Sequence, residues 1–257
     1  MQPLLLPSKV LFEEGDQPTI GRMIVEPCEA GFGTTLGNAF RRVLLSSLPG
    51  AAISDIRIEG IEHEFSTVPH VKEDLIQIIL NVKQLRLKVH ADEPVRLRIA
   101  VKGERVVTAG DIEKNADVEI VNPEQVIATL TDASASFTME LIATQGRGYE
   151  PTEARDRKSG EIGLLAVDAL YTPIRNVGFH VENTRVGQVT NYDKLTVTIE
   201  TDGTIDARDA VEQSTKILMD HFRLFLNPKD AKSYDNAPLM IENEIAAEEG
   251  AEVKQAE

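Results

Sequence analysis

Three observations in the 257-residue sequence predict an α+β fold. Two stretches near the ends of the chain, 31–48 and 206–226, repeat apolar residues at helical spacing. The middle, roughly 50–170, is a succession of short alternating strands with a single helix. No strand–helix–strand rhythm runs through it, which disfavours a doubly wound parallel sheet.

The first strand is expected over TIGRMIVEP (19–27), where β-branched residues alternate and Pro27 supplies the stop. A glycine-punctuated turn, GFGTTLG (31–37), then leads into a helix. Leu36, Ala39, Phe40, Val43 and Leu44 make its apolar face, and Pro49-Gly50 ends it in a turn. Asn38, Arg41, Arg42 and Leu45 gather on the opposite flank. Two arginines beside a leucine suit a partner surface, since the guanidinium fork makes bidentate contacts; the competing reading is an ordinary solvated face. AISDIRIEG (52–60) alternates Ala52, Ser54, Ile56 and Ile58 against Ile53, Asp55, Arg57 and Glu59, and IEHEFS (61–66) is expected to return as the second strand of a hairpin.

A second helix is predicted over 70–83, with Val71, Leu75, Ile78, Ile79 and Val82 inward and Lys83 at the end where a cation suits the dipole. Period-two patterning marks strands at 85–90, 95–103, 118–121, 126–130 and 137–144. The polar stretch 145–160 reads as a loop, 162–187 as a strand pair, and 195–203 as a strand with a turn after it. Asp206 is a plausible N-cap for the last helix, whose stripe is Ala210, Val211, Ser214, Ile217, Leu218, His221, Phe222 and Phe225. Core packing is one use of that stripe and a homodimer seam the other. Residues 229–257, with eight Asp/Glu against three Lys, read as an acidic flexible tail.

Net charge is −15, which opposes unaided binding to phosphate backbones. No run approaches the ~18 apolar residues of a membrane helix, and the N-terminus lacks the basic region of a signal peptide. Cys28 is the single cysteine, so an intrachain disulfide is impossible and a reducing cytoplasm fits. No catalytic constellation is visible, and the five scattered histidines and unclustered carboxylates suggest neither metal nor cofactor. GFGTTLG could be taken for a phosphate-binding turn, but Leu36 stands where a dinucleotide fingerprint needs glycine, and the Gly-Lys-Ser/Thr of a P-loop is absent. The glycines suit a tight turn and close helix packing instead.

IVEPCEAGFGTTLGNAFRRVLLSSLPGAAI, HEFSTVPHVKEDLIQIILNVK, DVEIVNPEQVIATLTD, GRGYEP, VDALYTPIRNV and TRVGQVTNYDKLTVTIETDGTI, in this order, strongly resemble the N-terminal region of the bacterial and plastid RNA polymerase alpha family, over roughly residues 10–226. The resemblance implies a non-catalytic subunit of a nucleotidyltransferase complex. Two copies would dimerise and recruit the beta and beta-prime subunits. It implies a discontinuous dimerisation subdomain at 1–49 and 171–228, an antiparallel sheet plus two amphipathic helices, with a strand-rich subdomain inserted at 50–170.

Carried over position by position, Arg42 and Leu45 match beta-contacting residues, and Lys83, Val167 and Lys194 match beta-prime-contacting residues. Gln77 departs from the family, which often has glutamate there. The dimer interface is expected from Leu36, Phe40, Val43 and Leu44 in the first helix and Leu218, Phe222 and Phe225 in the last. Residues 229–257 are too short and too acidic for the family's C-terminal DNA-binding domain, so DNA would be met only through the assembled enzyme. Two other readings are a nucleotide-dependent enzyme using 31–37 and a free-standing dimeric regulator.

Overall fold

A computed structural model describes residues 5–61, 63, 65–155 and 163–226. The fold is α+β. In chain order the elements are β1 (Lys9–Glu14), β2 (Ile20–Cys28), α1 (Phe32–Ser46), β3 (Pro49–Ile58), α2 (Leu75–Val82), β4 (Leu87–Val89), β5 (Val95–Lys102) and β6 (Arg105–Thr108). There follow β7 (Val118–Ile120), β8 (Val126–Leu130), β9 (Ser136–Arg147), β10 (Tyr149–Glu150), β11 (Leu165–Ala166), β12 (Ala169–Leu170), β13 (Ile174–Val186), β14 (Val189–Thr201) and α3 (Ala207–Leu226). The chain divides into two compact units, Met1–Ile217 and Leu218–Glu257.

Two large hydrophobic cores lie within the first unit. One draws on residues from both ends of the sequence: Met23, Val25, Leu44 and Leu48, then Val177, Leu195, Val197, Ala210 and Ile217. It fills the space between α1, the first half of α3 and one face of an antiparallel sheet of order β1-β2-β14-β13. Alternation drives this layer: Leu195, Val197 and Ile199 of β14 point to the helices, and Lys194, Thr196 and Thr198 to the other face. The other core lies wholly between Ile53 and Val167. It is built on a sheet of order β5-β9-β3-β4-β7 with β11 paired to β3, and α2 contributes Leu75, Ile78 and Val82 to it. β5 shows the cleanest pattern, with Val95, Leu97, Ile99 and Val101 buried and every residue between them exposed.

Several sequence expectations need correction. Pro27 does not end β2; the strand continues to Cys28 through a cis Glu26–Pro27 peptide. Pro49-Gly50 opens β3 rather than a turn. The hairpin partner expected at 61–66 is absent among its described residues, and β3 pairs instead with the distant β9. A register shift between Ile53 and Asp55 buries Ile53 and Ser54 together, which breaks the simple alternation. The second helix starts at Leu75, because the Asp74 carboxylate accepts the Gln77 N–H at 2.7 Å and caps it there. β6 has no counterpart in the sequence reading. Much of 145–155 is ordered as the end of β9, β10 and a 3-10 turn at Thr152–Ala154. β14 begins at Val189, six residues earlier than its periodicity suggests. The acidic tail lies outside the described residues.

Candidate functional site

α1 lies on β13 and β14 through its glycines. Gly33 and Gly37 are buried, and a Cβ on Gly37 would come within 2.6 Å of the Phe179 ring. A Cβ on Gly33 would meet Val181 and Asp193 at 3.0 Å. The helix begins without a side-chain cap of its own, at Gly31 with φ 87°. The cap comes from far along the chain: one Asp193 carboxylate oxygen accepts the Gly31 N–H at 2.8 Å and the Gly33 N–H at 3.1 Å. Asp193 is buried. This carboxylate already satisfies the amides and the positive end of the helix dipole, which is the chemistry a phosphate would need. The Gly31–Gly37 turn is therefore occupied by the protein itself, and its glycines serve close packing.

The outward residues of α1 divide into two flanks. Leu36, Phe40 and Val43 are partly buried against the core edge. Arg41, Arg42 and Leu45 are exposed, and neither guanidinium has an ion-pair partner among the described residues. Leu44 needs correction: it is 0% exposed within its own chain's core, so no second copy can reach it. Its place in the apolar stripe is real, but the stripe is wide enough to have an inner and an outer part.

Lys83 caps the C-terminus of α2, and its ammonium lies 3.2 Å from Asp168. The Thr152 N–H donates to the other Asp168 oxygen at 3.0 Å. That N–H first, and Lys83 with it, hold the Asp168 carboxyl below the usual range. Lys83 and Val167 line one shallow depression of about 350 Å³, so the structure brings these two together. Val167 is 1% exposed and forms the floor of the depression. The rim holds Phe65, Ile76 and Leu80, all exposed. Sequence reasoning passed over these three, although Ile76 and Leu80 are apolar, four apart and off the buried stripe, a readable signal. Gln77 is also exposed, and its side-chain amide donates to Asn81 at 3.1 Å.

Lys194 does not line that depression. It stands on the open face of the four-stranded sheet in a row of alternating charge. Lys9 meets Glu26 at 2.8 Å, and Lys194 meets Glu182 at 3.9 Å. The Lys9 hydrogen bond above all, with a smaller contribution from Lys194, lowers the Glu26 carboxyl.

In the second unit, the end of α3 carries Met219, Phe222, Phe225 and Leu226 exposed, Phe222 at 61% and Phe225 at 81%, while Leu218 is half-buried. Four large apolar residues left to water within eight positions are unusual for a lone helix end. Among the described residues no His, Cys, Asp or Glu group is placed to hold a metal ion, and no helix is long and apolar enough to cross a membrane. Cys28 is buried, and burial pushes its thiol pKa up, as suits a packing residue.

Residues 56–172 match the family profile of the RNA polymerase Rpb3/RpoA insert domain. Over 238 residues the chain is 47% identical to the DNA-directed RNA polymerase subunit alpha of Alkaliphilus oremlandii (strain OhILAs), covering 93% of this chain and 74% of that one. The subunit alpha of Moorella thermoacetica is 54% identical over 206 residues, 80% of this chain and 66% of the relative. That of Desulforamulus reducens is 47% identical over 238 residues, 93% and 75% respectively. With that identity sustained over both cores, the chain belongs to the family of the alpha subunit of DNA-directed RNA polymerase.

Proposed function

We propose that this chain is a non-catalytic assembly scaffold of DNA-dependent RNA polymerase in the cytoplasm: two copies pair, and the pair recruits the beta and beta-prime subunits. The observation that carries the reading is the two-sided α1, whose glycine face is sunk on β13 and β14 while Leu45 and Arg42, the latter with no ion-pair partner among the described residues, stand exposed. In this reading Arg42 and Leu45 contact beta. Lys83 and the depression floored by Val167, together with Lys194, contact beta-prime. Leu36, Phe40 and Val43, and separately Leu218, Phe222 and Phe225, meet a second copy. The core that joins the two ends of the sequence is the dimerisation subdomain, 1–49 with 171–228, and the other is the insert, 50–170. The net charge of −15 keeps the chain itself off DNA, which it meets only through the assembled enzyme.

Co-expression of the tagged chain with beta and beta-prime tests this. Both large subunits are expected in the tagged eluate at one each per pair of tagged chains. A chain that purifies as a dimer free of both would contradict the scaffold and favour a free-standing regulator.

A further inference from the structure

We infer that Asp193 is a positioning residue for beta capture, acting through α1; the inference rests on the assignment of Arg42 and Leu45 to the beta contact. Three observations carry it. Asp193 is buried, and a single one of its oxygens holds both the Gly31 and Gly33 N–H groups, so two successive points on the first turn are fixed to β14. Second, Gly33 and Gly37 let the α1 backbone seat directly on Val181 and Phe179, where even one added Cβ would clash, so the Asp193 bonds act on a helix held in close contact with β13 and β14. Leu44 and Leu48 anchor the far end of the helix and its exit. Third, Arg42 lies roughly 160° round the helix from the Gly33–Leu44 face, so its direction is set by the rotation of α1 about its own axis. A turn of about 20° would carry a side-chain tip at about 6 Å radius by roughly 2 Å, enough to break a bidentate contact.

Asp193 is also the immediate neighbour of Lys194 on β14. The same residue therefore ties α1 to the strand that presents Lys194. Its bonds span 160 and 162 residues of sequence, which makes the relation of the two surfaces a property of the fold rather than of a local turn.

The test uses the full chain with purified beta subunit, after sedimentation has shown each variant to be a dimer. Asp193→Ala is expected to weaken beta capture about tenfold, as Arg42→Ala does, and to weaken it less than about twofold further when Arg42→Ala is already present. Asp193→Asn keeps an acceptor oxygen where both amides converge and is expected to stay within about threefold of the parent, so it serves also if the alanine variant fails to fold. Undiminished capture by the Asp193→Ala dimer would overturn the inference. So would equal losses with and without Arg42, the pattern of a general structural defect, or a loss by Asp193→Asn as large as that by Arg42→Ala. If Arg42→Ala itself has no effect on capture, the beta assignment fails, and the inference with it.

Discussion

Arg86 and Asp202 face one another at 3.8 Å, with both side chains largely buried, and join the strand-rich core to the turn that precedes α3. Burial is the main influence on the Arg86 guanidinium and lowers its pKa; Asp202 opposes that shift. The Arg86 Nε is buried without a hydrogen-bond partner among the described residues, so the ion pair is its principal compensation. Asp202→Ala should therefore destabilise the chain by about 3 kcal/mol, because it strands a buried charge. In urea denaturation, Asp202→Ala combined with Arg86→Met should recover the part of that loss due to the stranded charge, but not the bonds that Asp202 Oδ1 accepts from the Thr204 N–H and hydroxyl. A double variant no more stable than Asp202→Ala would show that the pair matters for something other than charge compensation.

Gly50 and Gly178 should differ sharply in their response to alanine. A Cβ on Gly50 would lie 1.8 Å from the Tyr171 carbonyl oxygen, a backbone atom that cannot swing aside. Gly50→Ala should cost at least about 2 kcal/mol, and Gly178→Ala, which meets nothing within 4 Å, should stay within about 0.5 kcal/mol. Chemical denaturation of the two variants measures both, and equal effects would contradict the packing described at Gly50.

The Asp168 carboxyl is depressed chiefly by the Thr152 N–H and secondarily by Lys83. A carboxyl lowered on folding stabilises the fold above its unfolded pKa of about 3.9, and that contribution is lost as pH falls through the lower folded value. In Lys83→Ala the value should rise yet remain below the ordinary range, since the backbone donor persists. Carbon-13 titration of the Asp168 carboxyl reads this directly. A return all the way to about 3.9 would make Lys83 the dominant partner instead.

Phe222→Asp should convert the dimer to monomers in sedimentation velocity without lowering the melting temperature of the isolated protomer. Phe222 is 61% exposed in the single chain, so a carboxylate there meets water in the monomer but an apolar seam in the dimer. An unchanged dimer would remove the end of α3 from the self-interface.

What the sequence makes legible here is what short-range periodicity controls. The α1 and α3 stripes, the alternation of β5 and the glycine packing under α1 can all be read from spacing within a few turns. Leu44 shows the limit: periodicity places it with Leu36, Phe40 and Val43, but only the position of β13 and β14 decides that it is fully interior. Strand partners are not local either. β3 pairs with β9, whose residues lie some ninety positions on, instead of with the neighbouring 61–66. The Asp193 cap was invisible for the same reason, since no spacing rule links a carboxylate to amides 160 residues earlier. Spacing alone makes α2 too long because Val71 fits its stripe, although Val71 bridges Leu130 and Asp74 starts the helix.

Capture of beta by the sedimentation-verified dimer, compared between the parent chain and Arg42→Ala, bears most directly on the scaffold. Arg42 is exposed and has no ion-pair partner among the described residues, so its loss should leave dimer and fold intact and weaken capture about tenfold. Capture equal to that of the parent, or collapse of the dimer on losing this one side chain, would contradict a two-sided α1 with its outer flank turned to beta.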